Sequence, residues 1–354
     1  MRILVYGAGA VGGYLGGRLS QHGHEVTLVT RPVTAQFINE QGLDITEKGQ
    51  TVRTQPTAVT SIAQAFAEGQ AYDLLLMSMK SYDLQIALDH LVAFCPDPPP
   101  IITTGNGIDI ELPLVMQFGA EKITAGSVTT PIRKETSYHL IVEKEGRGLM
   151  LAAMQPKQKI KEWVNLFRKS GVQTATAKSY ESMRWSKALL NMVGNASSAI
   201  LNRRPGLIYS SDRMYDLEVR MLQEALDVMA ARKIKVVDLP GSSAKKLAFG
   251  VRRMPRSVLK PMLTKRVTSG RGNKMPSFYI DLAEGKGKTE VIYHNGAVAY
   301  HGQKLGIPTP VNAAYNDVLV KITNGELDWR EFDGRPQRLA QEVRRYEAAM
   351  SQSR

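Results

Sequence analysis

The chain has 354 residues, a formal net charge of +13, and 43% hydrophobic against 22% charged residues, which suits two domains of an ordinary globular protein. Its single cysteine, Cys95, excludes an intrachain disulfide and a cysteine-built zinc cluster. No apolar run approaches the roughly 20 residues that span a bilayer, and MRILVYGAG enters a strand-like run without a basic and apolar leader, so the expectation is a cytoplasmic protein without a membrane span.

Arg2 to Gly7 is a short apolar, β-rich run that breaks into Gly7-Ala8-Gly9-Ala10-Val11-Gly12, followed by a helical pattern through Ser20 and a second strand pattern from His24 to Thr30. Strand, glycine turn, helix and strand in this order make G-x-G-x-x-G informative. Gly7 permits the tight turn, Gly9 lets the backbone approach a pyrophosphate, and Gly12 allows close helix–strand packing. The N–H groups that open the helix then receive the phosphate charge. At the end of the second strand an NAD site carries an acid for the ribose hydroxyl, whereas this chain has Thr30-Arg31. An arginine there suits a 2′-phosphate, and the cofactor expected is NADP(H).

Tyr72–Met77 and Ile101–Thr104 read as further buried strands, so the pattern predicts a doubly wound α/β sheet. Lys80 follows the first and Asn106 the second, the ends at which such sheets collect ligands; Asn106-Gly107 is also a plain turn signal. Ile123–Thr130, Leu140–Glu143 and Gly148–Ala152 read as antiparallel additions to the sheet, then a helix from Lys157 to Lys169 and a strand near Val172–Ala175. The expected divisions are a Rossmann-type domain over 1–177, a helical domain over 178–325 and a polar helical tail over 326–354.

The stretch RWSKALLN, Arg184 to Asn191, opens a segment with no charged residue from Ala188 to Asn202. Lys187, Asn191 and Asn195 recur every four residues and share one side of a continuous helix. They are either satisfied core groups or the wall of a site. Asp216–Ala231 is a clear amphipathic helix, and Ala244–Ile280 holds ten basic residues and no acidic one. That block is a solvated face, or a rim attracting small anions, or a surface for nucleic acid or anionic membrane. Since it lacks aromatic interleaving for base stacking, no nucleic acid is expected. Pro276-Ser277, Thr289-Glu290 and a helix to Leu305 follow.

The glycine turn, Lys80, Asn106-Gly107, Trp185-Ser186-Lys187 with Asn191 and Asn195, Pro276-Ser277 with Asp281, and Thr289-Glu290 with Asn295-Gly296 come in an order that resembles the ketopantoate reductases over residues 1 to about 325. The resemblance implies a Rossmann domain, a helical C-terminal domain like that of 6-phosphogluconate dehydrogenase, and NADPH-dependent reduction of 2-dehydropantoate to pantoate. It implies Lys187 as general acid and Glu290 as the group orienting lysine or substrate. Asn106, Asn191, Asn195 and Ser277 then bind substrate or the nicotinamide side, and Arg31 and Lys80 the cofactor. Hydride addition builds negative charge on a carbonyl oxygen, which an ammonium can stabilise and protonate. Two departures stand out: Lys274 where the family often has asparagine, and a longer, more basic stretch from Leu239 to Gly272. Two other readings stay open: a related NADPH-dependent reductase of another 2-oxo acid, and a non-catalytic NADP(H)-binding protein docking through residues 244–280. Gly287-Lys288-Thr289 lacks the first glycine of a phosphate loop, and His294 with His301 reads as a surface pair on a helix, so no metal site is expected. A homodimer is the common default.

Overall fold

The computed structural model describes residues 1–271 and 274–352; residues 272–273 of the basic segment and 353–354 of the expected tail lie outside the described residues. The chain divides into two compact units, one of residues 1–106, 110–184 and 238–242, the other of residues 107–109, 185–237 and 243–354.

In the first unit, short aliphatic and β-branched runs form β1 (Arg2–Tyr6), β2 (Glu25–Val29), β3 (Leu43–Glu47), β4 (Gln50–Thr54), β5 (Thr57–Val59), β6 (Leu74–Met77), β7 (Ile101–Thr103), β8 (Ile123–Val128), β9 (Ile132–Lys134), β10 (His139–Val142), β11 (Leu149–Ala153) and β12 (Thr174–Ala177). Among the described residues, eight of them make one sheet in the order β12-β11-β8-β7-β6-β1-β2-β5. Strands β5, β2, β1, β6, β7 and β8 run parallel, in the spatial order of dinucleotide-binding sheets. Ile3, Leu4, Val5, Leu74, Leu75 and Leu76 are fully buried, as expected where helices cover both faces of a parallel sheet. The helices of this unit are α1 (Ala10–Gln21), α2 (Pro32–Gln41), α3 (Ile62–Ala65), α4 (Leu84–Phe94), α5 (Leu112–Phe118) and α6 (Lys161–Lys169).

Two of the three expected antiparallel additions differ. Strand β8 is parallel to β7, because α5 supplies the crossover that a parallel neighbour needs. Strand β10 belongs to a second sheet of order β4-β3-β10-β9. The reason lies in α1, whose bare Gly13 and Gly17 present a flat side. A Cβ at Gly13 would lie 3.0 Å from Leu140, and one at Gly17 2.7 Å from Ile45, so the small sheet presses its apolar residues onto that side. Strand β11 is antiparallel to β8, as expected.

The helix α7 (Tyr180–Met192) carries the boundary between the units, which falls between Arg184 and Trp185. The second unit continues with α8 (Ala196–Leu201), α9 (Pro205–Ser210), α10 (Asp212–Ala231), α11 (Ala244–Arg253), α12 (Arg256–Arg271), α13 (Ser277–Ala283), α14 (Asn295–Lys304), α15 (Pro310–Thr323) and α16 (Pro336–Gln352). Met221, Ala225 and Val228 of α10 and Val311, Ala314 and Leu319 of α15 are buried in one core, at the spacing that gives a helix one apolar side.

Helix α10 also buries two acids, each spent on a helix end. Glu224 accepts the N–H groups of Val311 and Asn312 at 2.9 and 3.0 Å, satisfying donors in the first turn of α15 that have no partner within the helix. Glu218 accepts the N–H of Gly194 at 2.7 Å and the Tyr209 hydroxyl at 3.1 Å. That contact marks the break between α7 and α8, where Gly194 has φ of +60°. The expected continuous helix through Asn202 is therefore two helices, and Asn195 does not share a helix with Lys187.

The basic segment forms α11 and α12. Part of its charge is met by the acidic side of α10: Arg252 pairs with Asp227 at 2.6 Å, Arg256 with Asp216 at 2.9 Å, and Lys260 with Asp212 at 2.7 Å. Exposed pairs of this kind are screened by solvent and add little to stability. Phe249 lies exposed on α11 between Lys246 and Arg252, so the segment is not without aromatic side chains. Among the described residues, no helix is long and apolar enough to cross a membrane.

Candidate functional site

In the first unit the parallel strands deliver their carboxyl ends to one edge of the sheet. Strand β1 runs into Gly7, whose φ is +93°, and a Cβ there would lie 2.7 Å from the Met79 backbone nitrogen, so only glycine fits. A Cβ at Gly12 would meet the Gly7 carbonyl oxygen at 2.4 Å and the Ser78 Cβ at 2.8 Å, which seats α1 directly on the turn. Gly9 is different, because nothing lies within 4 Å of where its Cβ would project. The protein itself does not need that glycine, and the open space is the cradle a side chain would fill. Helix α1 begins at Ala10 with no side-chain cap and no acid in its first turn, which leaves the N–H groups of Ala10, Val11 and Gly12 able to receive an anion. Gly7 through Gly12 thus fit a pyrophosphate, with Ala8 buried against the core.

Strand β2 ends at Val29, and Arg31 sits exposed at the N-cap position of α2, ahead of Pro32. Lys80 is half-buried and heads the short turn Ser81–Asp83 that follows β6. Asn106 is half-buried three residues beyond the end of β7 at Thr103. The loops after β6 and β7 are tied together. The Ser81 hydroxyl donates to the Asn106 carbonyl, the Thr104 hydroxyl to Ser78 Oγ at 2.7 Å, and the Thr104 N–H to the Met77 carbonyl at 2.9 Å.

A support that the sequence reading missed lies beneath them. Arg184, one turn before Lys187 on α7, is 2% exposed and pairs with Glu111, which is 0% exposed. Its guanidinium also donates to the Gly105 carbonyl at 2.6 Å and to Thr103 Oγ1 at 2.9 Å, fixing the end of β7 from which Asn106 projects. A groove of about 970 Å3 lined by Arg2, Glu25, Thr57 and Gln64 lies at the opposite, amino ends of β1, β2 and β5, away from the glycine turn.

In the second unit, Trp185, Ala188, Leu189 and Met192 of α7 are buried in the core, which leaves Lys187 and Asn191 half-buried together on another side of the helix. The Asn191 amide nitrogen lies 3.4 Å from His294 Nε2, and His294 Nδ1 lies 3.0 Å from the Glu290 carbonyl. A carbonyl only accepts, so Nδ1 carries the hydrogen and Nε2 accepts from Asn191. His294 is 1% exposed, not one of a surface pair; its ring stands edge-on to Phe278 at 5.4 Å. His301 instead pairs with Asp109 at 2.6 Å, and among the described residues no group of His, Cys, Asp or Glu is built to hold a metal ion.

Glu290 is buried and opens the turn Glu290–Tyr293, where Thr289 Oγ1 accepts the Val291 N–H at 3.3 Å. Asn195 is also buried; its amide donates to Ser277 Oγ at 3.4 Å and accepts the Phe278 N–H at 3.2 Å, so it holds the start of α13. Ser277 itself is exposed, as is Lys274. Asn295, next to His294, donates to Asn312 at 3.0 Å, and Asn312 donates to Glu224 at 2.7 Å. The buried acids of α10 thereby reach both the break beside Asn195 and the turn holding His294.

Comparison with known proteins agrees with this architecture. The family described as ketopantoate reductase PanE/ApbA matches residues 3–151, and the corresponding C-terminal family matches residues 179–322. A 2-dehydropantoate 2-reductase of Pyrococcus horikoshii is 27% identical over 317 residues, covering 88% of this chain and 94% of its own. The crystal structure of a PanE/ApbA family ketopantoate reductase from Ralstonia eutropha JMP134 superposes with a TM-score of 0.77 at 24% identity, over 92% of this chain and 99% of that one. A D-mandelate dehydrogenase solved with NADH and anilino(oxo)acetate gives 0.76 at 21% identity, with coverage of 92% and 99%. The two family matches, taken with the NAD(P)-binding order of the sheet and the helical second unit, place the chain in the ketopantoate reductase family as an oxidoreductase acting on CH–OH groups.

Proposed function

We propose that the chain reduces the ketone of 2-dehydropantoate to the hydroxyl of pantoate, with NADPH as cofactor and Lys187 as general acid. The observation that carries this reading is the pairing of Lys187 and Asn191 on one half-buried side of α7, in a segment otherwise free of charge from Ala188 to Asn202. In this reading residues 1–177 hold the cofactor and 178–325 the catalytic side chains. When bound, NADPH supplies a hydride to the carbonyl carbon. The Lys187 ammonium donates a hydrogen bond to the carbonyl oxygen, stabilises the charge that builds there, and gives up its proton to form the alcohol. The neutral amine then regains a proton from solvent.

Asn191, its amide held by His294, orients the substrate, and Glu290 orients Lys187 or the substrate. Asn195 is a positioning residue for Ser277, which faces the substrate. Gly7 through Gly12 receive the pyrophosphate, Arg31 the 2′-phosphate, and Lys80 another part of the cofactor, with Asn106 toward the nicotinamide or the substrate. Purified protein is expected to oxidise NADPH with 2-dehydropantoate far more efficiently than with pyruvate or 2-oxoisovalerate; equal rates on all three would sink the substrate assignment. Arg31→Ala is expected to raise KM for NADPH and spare NADH. A related reductase of another 2-oxo acid is the second reading, favoured by the exposed cation Lys274 three residues before Ser277.

A further inference from the structure

The hairpin of β9 and β10 bears on the cofactor end of the first unit. Lys134 stands directly opposite Leu140 in its register, and opposite residues of an antiparallel pair share a face. Leu140 is buried and lies 3.0 Å from where a Cβ on Gly13 would be, in the first turn of α1. Lys134 therefore belongs to the face of the hairpin turned toward the start of that helix. The Tyr138 ring, two residues before Leu140, packs on Phe37 of α2 at 5.3 Å, and Arg31 is the residue that caps the start of α2. The hairpin thus joins the two helices whose first turns would flank a dinucleotide.

The charges there are unbalanced. Arg133 is met by two acids, Glu135 and Glu143. Among the described residues, neither Arg31 nor Lys134 pairs with an acid. Lys134 is exposed at the end of β9, and desolvation and, after it, the Arg31 guanidinium hold its ammonium below the ordinary lysine range. Two like charges held together without a counter-ion are unfavourable until an anion enters between them.

We infer that Lys134 and Arg31 form a two-cation site for the 2′-phosphate that distinguishes NADP(H) from NAD(H), with Lys134 as a second specificity-determining residue. The inference rests on the NADPH reading above. A phosphate monoester carries more than one negative charge near neutral pH and offers three acceptor oxygens, enough for a guanidinium and an ammonium at once.

Binding of NADPH, NADH, 2′-AMP and 5′-AMP to the full chain would be measured by calorimetry, for the unaltered protein, Arg31→Ala, Lys134→Met and Lys134→Arg. The expected result is that Lys134→Met weakens NADPH and 2′-AMP about tenfold, the order of one charge-assisted hydrogen bond. NADH and 5′-AMP should be unaffected, and Lys134→Arg should retain most of the NADPH affinity. If Arg31→Ala selectively weakens NADPH and 2′-AMP while Lys134→Met does not, Lys134 is overturned and the NADPH reading survives. Equal weakening of NADPH and NADH by Lys134→Met also overturns it, since the lysine would then act on the shared part of the cofactor. If the unaltered protein binds NADPH and NADH alike and Arg31→Ala changes neither selectively, the NADPH reading fails, and the two-cation site with it.

Discussion

The two units make their candidate sites from different materials. In the first, the glycine turn from Gly7 to Gly12 works through backbone: one residue adopts a positive φ, one fits under a helix, and one leaves space. In the second, the candidates Lys187 and Asn191 on α7 and Asn195 just before α8 would work through side chains, and the settings of Asn191 and Asn195 lean on acids buried elsewhere, Glu218 and Glu224 of α10. A backbone site is specified by a few consecutive residues and tolerates change around it. A side-chain site is specified by every partner that orients it, so its failures are expected at residues distant in sequence.

The largest effect that would test this contrast is at Lys187. Lys187→Ala should lower kcat by about two to four orders of magnitude, while NADPH binding, which the reading assigns to the first unit, stays unchanged. Stopped-flow turnover alongside cofactor titration would read both. Unaltered turnover would break the side-chain half of the comparison.

Next comes the buried pair of Arg184 and Glu111. Removing one partner should cost about 3–5 kcal/mol of stability, because a charge is left buried and unpaired. Chemical denaturation of Arg184→Met should show a loss of this size, and Arg184→Met combined with Glu111→Leu a smaller one. A combined loss as large as the sum of the two single losses would mean that the pair is not coupled.

These residues also explain what was legible in the sequence. The glycine turn was, because strand, turn and helix are adjacent and each glycine has a local reason. The half-buried place of Lys187 on a helix was too, because a charge beside fifteen uncharged residues, Ala188 to Asn202, is conspicuous. The break at Gly194 was not: a four-residue recurrence fits an unbroken helix equally well, and the group that fixes the break, Glu218, is 24 residues away. Arg184 read as an ordinary helix residue because its partner Glu111 is 73 residues distant. The parallel course of β8 and the placing of β10 were likewise decided by tertiary context, the crossover helix and the flat side of α1, which no strand's own residues announce. Lys134 gave no signal either, since a lone lysine at a strand end becomes informative only once folding sets its hairpin against α1 and α2.

The dependence of the second unit on buried acids gives it a pH signature. Burial lifts the Glu224 carboxyl from 4.5 to about 7, against the opposing pull of its bonds from Asn312 and Val311. The folded state therefore holds a proton that the unfolded chain releases between these values. The sign follows: stability from this group is fully present below pH 4.5 and is lost as pH rises through about 7. The loss is up to about 3 kcal/mol. Thermal unfolding from pH 5 to 8 should show this slope, and Glu224→Gln should flatten it. An identical slope in both proteins would remove Glu224 as its source.

The smallest effects separate the glycines of the turn from one another. Gly12→Ala puts a Cβ 2.4 Å from the Gly7 carbonyl oxygen, backbone that cannot swing aside, so α1 must lift and stability should fall by about 1–3 kcal/mol. Gly9→Ala meets nothing within 4 Å, and its effect on the melting temperature should be close to zero. Its methyl would nevertheless stand in the space read here as the pyrophosphate cradle, so NADPH affinity should fall while the fold is untouched. Melting curves and cofactor titrations on the two variants separate these predictions. Were Gly9→Ala to bind NADPH normally, the open space would be incidental, and packing against Gly7 and Gly12 alone would account for the shape of this turn.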